Sequence, residues 1–446
     1  MGVREQQHTA ESTGTKRRNR VLAAAVAANS IEWYDFLIYG TAASLVINTH
    51  FFPAANPTVG VLASFATFAV GFAGRPIGAA VFGHFGDRFG RKPALLTAML
   101  MMALSSTLIG LLPTYASIGV AAPVILVVLR IAQGIAVGGQ WGGATLLAVE
   151  HAPPNRRALF GAIPQLGLPI GMITGTLIFL VLSGSLSADQ FSAWGWRVPF
   201  LISVLMFPLA YYIHHRIEDS PQFKQAEAAL RAQAGERRRS SVIEVLRRPK
   251  AVLLITAMYA ANGIAYYLVV TGSLDYGTRE VGAARSTMLL AVMISMVTWT
   301  LSMLFFAYLC DRTGRPRLIY AASQVFNAVW VFALFPLVRT GETGLIILAL
   351  AVAQVGVGAC FGPAQTMFAD MFPPSVRYSG ASLGYQLANI FGSAPAPLIM
   401  VAILAATGST VWVSVYAGGM ALLALIPLAF SARVGQVVSP KSPLTQ

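Results

Sequence analysis

The sequence predicts an all-α polytopic membrane protein, with twelve transmembrane helices in two pseudo-symmetric six-helix bundles. Three observations carry this. Of 446 residues, 56% are hydrophobic and only 11% charged, with a mean hydropathy of +0.66; soluble domains carry roughly 25% charged residues. The apolar residues gather into runs of about 20 or more, the length that crosses a bilayer. Finally, the chain repeats itself. GHFGDRFGRK at 83–92 and AYLCDRTGRP at 307–316 carry Asp-Arg-x-Gly-Arg in the same order, half a chain length apart.

Taken in order, residues 1–20 form a polar, basic, mobile cytoplasmic tail. Spans are expected near 21–47, 58–83, 93–113, 121–149, 158–183 and 195–216, the N-terminal bundle of 21–216. A linker, 217–250, is rich in Arg, Glu, Gln and Ala; Phe223, Ala226 and Leu230 share one helical face that can lie on the membrane surface. Spans near 251–274, 286–309, 317–338, 343–368, 379–407 and 410–432 make the C-terminal bundle of 251–432, and 433–446 is a second tail.

Charge placement sets the topology. The net charge is +14, and 25 of the 31 Lys and Arg fall on the tails and loops of one side. By the positive-inside rule that side is cytoplasmic, so both termini are inside and the number of spans is even. Charge placed this way faces lipid and cytoplasm and does not read as nucleic-acid binding. The apolar run after KRRN (16–19) is interrupted by Glu32 and Asp35 and lacks a clean cleavage site, so the first span is expected to stay in the mature protein. The two cysteines, Cys310 and Cys360, lie in or near spans and imply no disulfide framework.

The repeat extends beyond the Asp-Arg loops. EHAPPNRRALFGAIPQ (150–165) follows span 4 and DMFPPSVRYSGASLGYQ (370–386) follows span 10. Glu150 matches Asp370, Pro153–Pro154 match Pro373–Pro374, and Arg157 matches Arg377. Two such halves joined by a cytoplasmic linker make a parallel repeat about an axis along the membrane normal.

Four charges fall inside spans: Glu32, Asp35, Arg75 and Arg130. Each costs roughly 2.5–3.5 kcal/mol on insertion scales and is a functional candidate for that reason. Glu32, Asp35 and Tyr39 share one face of span 1 at i, i+3 and i+7. Asp35 and Arg130 sit at similar depth, where they can form a static ion pair or share a substrate. Gln165, Gln386 and Asn389 are long amides inside spans, open to substrate contact or to interhelical hydrogen bonding. Tyr266, Tyr267 and Trp299 read as packing or lipid-facing residues. The six histidines stand mostly near loops, with no metal spacing and no nucleophile–base pair, so neither a metal, a cofactor nor an enzyme is expected.

These motifs carry a resemblance. Gly83, Asp87, Arg88, Gly90, Arg91 and Lys92, with the weaker copy around Asp311, Arg312 and Arg315, resemble the signature loops of the major facilitator superfamily. EWYDFLIYG (32–40), GRPIGAAVFGHFGDRFGRK (74–92), LRIAQGIAVGGQWGGA (129–144) and WGWRVPFL (194–201) are similar to its metabolite:proton symporters. That branch holds shikimate, α-ketoglutarate and proline/betaine carriers, and the wording here is nearest to the shikimate type. The resemblance implies proton-coupled symport of a small organic acid by alternating access, in a bacterial inner membrane, by a monomer. A zwitterionic osmolyte such as proline or betaine is the alternative cargo. Drug:proton antiport is a weaker one, because PQLGLPIGMITG (164–175) lacks that group's paired Gly-Pro and Gly-Gly.

It further implies Asp35, Glu32 and Arg130 as proton-coupling residues, and Arg130, Arg75, Tyr39, Gln133, Gln165, Gln386 and Asn389 around the substrate. Asp87, Arg88, Arg91, Glu150, Asp311, Arg312, Arg315 and Asp370 form the gate. There Asp87 caps the helix beginning near Ser375–Ser379, and Arg91 or Arg88 pairs with Glu150. Asp311 faces Asn155–Arg157, and Arg312 or Arg315 pairs with Asp370. Gln140 departs from the branch, where Glu is common: either proton handling falls to Glu32 and Asp35, or the chain does not couple to protons.

Overall fold

The computed structural model describes residues 2–42, 46–53, 57–216, 244, 245, 247, 249–373 and 376–438. The apolar face expected in the linker lies outside them. Among the described residues twelve long helices follow in order: α1 Gly2–Ala42, α2 Pro57–Phe89, α3 Arg91–Leu111, α4 Ala121–Glu150, α5 Arg157–Ser185 and α6 Phe191–Tyr212, then α7 Pro249–Arg279, α8 Arg285–Thr313, α9 Pro316–Arg339, α10 Thr343–Ala369, α11 Arg377–Thr407 and α12 Thr410–Ser431. Eleven helices among the described residues are long and apolar enough to cross a membrane. Helix α2, 33 residues long, holds the expected second span.

Residues 2–20, expected as a tail, are helical: α1 begins at Gly2 and runs unbroken into the first span. Their Arg, Glu, Gln, Lys and Ala are good helix formers and no proline intervenes. One expectation is corrected: the Asp-Arg segment is not a tight loop. Helix α2 continues through Gly83 and Gly86 to Phe89, with Phe85 and Phe89 in contact at 4.8 Å, and only Gly90 turns, at φ 114°. In the repeat, Gly314 ends α8 at φ 64°, a left-handed C-cap that favours glycine.

The chain divides into two compact units. One comprises residues 1–151 and 164–242, the other 152–163 and 243–446. The segment between α4 and α5 thus groups with the second unit. In the first, α2 and α4 are pressed together by glycines. A Cβ on Gly134 would collide with the Gly71 carbonyl, one on Gly138 with the Arg75 carbonyl, and one on Gly78 with the Ile135 carbonyl. Small residues let membrane helices touch backbone to backbone, where packing rather than water drives association. In the second unit α8 and α10 meet the same way, with Gly358 against the Trp299 carbonyl and Gly362 against the Met303 carbonyl. Overpacking of this kind costs about 1–3 kcal/mol or more. Gly134→Val should therefore lower the thermal midpoint in detergent and broaden the size-exclusion peak. Gly419→Ala, at a position with open space around it, should change neither; equal behaviour of the two variants would refute the contact.

Candidate functional site

The α2–α4 contact fixes where two arginines sit. Arg75 is one turn from Gly71 and Gly78, and Arg130 is one turn from Gly134. A Cβ on Gly71 would fall 2.7 Å from Arg130 Nη2, so that glycine makes room for the guanidinium. Arg130 is 5% exposed, and its guanidinium lies over the Tyr39 ring at 3.8 Å. A desolvated cation–π contact of this kind is worth about 2 kcal/mol. Arg130 Nη1 donates to Gln133 Oε1 at 2.8 Å, and Gln133 Nε2 donates to Ser106 Oγ at 2.6 Å. The Tyr39 hydroxyl shares a short hydrogen bond with Thr67. Arg75 lies over the Phe72 ring at 4.2 Å. Both arginines, with Gln133, line a cavity of about 10 Å³, room for roughly one water.

The carboxylates lie on α1. Asp35 is fully buried and accepts a hydrogen bond from Ser203 Oγ at 2.9 Å; the Ser106 hydroxyl and the Arg130 charge also act on it. Glu32 is 7% exposed, feels the charge of Arg75, and leaves Oε2 without a hydrogen bond. In the first unit the Arg130 charge therefore acts on Asp35, and the Arg75 charge on Glu32. Gln165 is drawn into helix–helix bonding: it accepts from Asn29 at 3.5 Å and donates to Thr145 Oγ1 at 3.3 Å.

The second unit presents neutral groups instead. Gln386 is buried on α11 with both amide atoms lacking hydrogen bonds, while Asn389 Nδ2 donates to the Tyr385 carbonyl at 3.1 Å. Gln354 and Gln365 on α10 are likewise buried and unbonded. Tyr266, Trp299 and Phe361 pack edge-on at 5.3–6.0 Å, so these aromatics serve the core.

The charged helix ends divide as follows. Asp311 accepts from the backbone N–H of Ala158 and of Leu159, each at 2.8 Å, and so caps the start of α5. Asp370 pairs with Arg157 through two bonds of 2.8 and 3.3 Å, not with Arg312 or Arg315 as expected. Arg157 opens the helix that Asp311 caps, so its planar fork reaches Asp370, whereas Arg312 and Arg315 remain exposed. Asp87 and Glu150 are buried and, like the exposed Arg88, engaged with other groups. The Arg91 side chain and Ser375 lie outside the described residues.

Comparison with known proteins agrees with this architecture. Residues 21–244 match the family described as sugar (and other) transporter, and residues 152–408 match MFS/sugar transport protein. The inner membrane metabolite transport protein YhjE of Escherichia coli (strain K12) is 38% identical over 94% of this chain and 96% of its own. The shikimate transporter of the same strain is 38% identical over 87% of this chain and 88% of its own. The solved proton:xylose symporter XylE, bound to 6-bromo-6-deoxy-D-glucose, superposes with a TM-score of 0.69 at 16% identity, over 94% of this chain and 95% of that one. At that identity the likeness is one of fold alone.

Proposed function

The chain belongs to the major facilitator superfamily, among its metabolite transporters, and from that membership we propose that it carries a small organic acid across the membrane together with a proton. The observation that carries the reading is the buried Arg130, seated on Tyr39 and linked through Gln133 and Ser106 toward the buried Asp35. Before substrate enters, the Arg130 charge balances Asp35. A substrate carboxylate that takes the guanidinium leaves Asp35 without its countercharge, and the aspartate then takes up a proton. The loaded site holds less uncompensated charge and crosses the low-dielectric interior more easily. Glu32 with Arg75 makes a second pair that tunes the first. Asp87, Arg88, Arg91, Glu150, Asp311, Arg312, Arg315 and Asp370 serve as the charged gate at the ends of the spans.

In this reading the protein is a multi-pass protein of a bacterial inner membrane with both termini inside. Its bundles, 21–216 and 251–432, are joined by the 217–250 linker. Its cargo resembles shikimate, the substrate named for one relative. Counterflow in proteoliposomes, with labelled hydroxylated monocarboxylates, dicarboxylates and zwitterionic osmolytes, tests it. Trans-stimulated uptake of an acid, enhanced by an inward pH gradient, is expected. Counterflow confined to betaine or proline, or to uncharged solutes, would overturn the organic-acid assignment.

A further inference from the structure

At the start of α9 a cavity of about 450 Å³ opens between helix ends of the second unit. Its lining includes Arg315 and Arg317, together with Leu318, Asp370, Met371 and Ser431. The balance of charge is positive. Asp370 is matched by the two-pronged contact from Arg157, while Arg315 and Arg317 are both exposed. Arg317 is steadied by a 3.2 Å bond to the Ser431 carbonyl, which leaves other guanidinium N–H groups free to donate.

The surface beside this cavity is apolar in one direction. Leu318 is 60% exposed, and the same stripe of α9 continues through Val325 and Val329, 45% and 68% exposed, at i+7 and i+11. In a chain that spans a bilayer, such a stripe faces acyl chains. The arginines stand at its end, where a membrane-crossing helix begins and headgroups lie. Basic pockets between membrane helices at this level suit anionic headgroups.

We propose that this cavity binds the headgroup of an anionic phospholipid, with Arg315 and Arg317 on the phosphate and an acyl chain along Leu318, Val325 and Val329. A soluble anion would use the arginines but not the stripe, and a zwitterionic lipid would use the stripe but gain little from two unmatched cations. The site is independent of the substrate assignment above.

Thermal unfolding of the full chain in neutral detergent micelles tests this, with phosphatidylglycerol, phosphatidylcholine or inorganic phosphate added. Phosphatidylglycerol should raise the midpoint by roughly 5 °C, and phosphatidylcholine and phosphate by much less. The double variant Arg315→Gln/Arg317→Gln should lose most of that rise. Arg339→Gln, which removes an exposed arginine at the opposite end of α9 and leaves the cavity untouched, should retain it. An undiminished rise in the double variant would place the lipid elsewhere. A rise of the same size with phosphatidylcholine would reduce the effect to a general lipid requirement, and one with phosphate alone would make this a soluble-anion site. Each of these overturns the proposal.

Discussion

Asp35→Asn abolishes uphill accumulation of substrate while sparing exchange of labelled for unlabelled substrate. One proton carried per substrate couples each unit of pH gradient to about 1.4 kcal/mol, a tenfold accumulation ratio. The variant should bring that ratio to about one. The reason lies in the groups around the carboxylate. Asp35 is fully buried and held by Ser203, with Ser106 on α3 and the Arg130 charge on α4 also acting on it. Asparagine keeps the shape and can still accept from Ser203, so the helix contacts survive. It has no proton to load or release. Exchange returns the carrier loaded, without net proton movement, and should run at close to the wild-type rate. Proteoliposomes loaded at two pH values measure both. Continued uphill accumulation by Asp35→Asn would shift the coupling role away from this residue, and Glu32, its neighbour one turn away, would be examined next.

The features legible in the sequence share one property: they depend on residue type at a fixed spacing along one helix. Apolar length located the spans, and Asp87 and Asp311 displayed the repeat. Glu32, Asp35 and Tyr39 fall on one face by helical periodicity alone, and the structure buries all three. What escaped depends on which helices touch. Ser106 and Ser203, which act on Asp35, are single serines on α3 and α6, and nothing in their own segments distinguishes them from serines that bond their own backbone. Gln354 and Gln365 did carry a signal, since eleven residues bring two amides back to nearly the same face of α10 after three turns. The partner of Asp370 was misread for a related reason. Arg312 and Arg315 lie in the matching loop, yet Arg157 is carried into reach by the Asp311 cap on α5. The charged segment after Gly83 resembled a loop by composition, but its helical hydrogen bonding continues until Gly90 supplies the one positive φ.

Arg130→Ala should weaken binding of a carboxylate substrate by about 2–5 kcal/mol, the usual cost of truncating one partner of a buried charge pair, or roughly 30-fold to several thousand-fold. Arg130→Lys should cost less, about 1.5–3 kcal/mol, the worth of one hydrogen bond to a charged group. It keeps the charge but loses the planar fork. Three features of the site are built for arginine specifically: the glycine at 71 that leaves space for Nη2, the Tyr39 ring beneath the guanidinium at 3.8 Å, and Gln133 Oε1 on Nη1 at 2.8 Å. An ammonium reaches one of these at a time. The order wild type, Lys, Ala should therefore hold for the substrate affinity measured by counterflow. A neutral analogue with the carboxylate converted to an amide should bind wild type weakly and respond little to either change. Arg75→Lys separates the two arginines. Arg75 sits on Phe72 and acts on Glu32, so its replacement should disturb the pH dependence of uptake more than substrate affinity. All three variants must elute as monodisperse protein for the comparison to hold. A wild-type preference for the amide, or equal losses for the acid and the amide, would mean that Arg130 holds helices together rather than cargo.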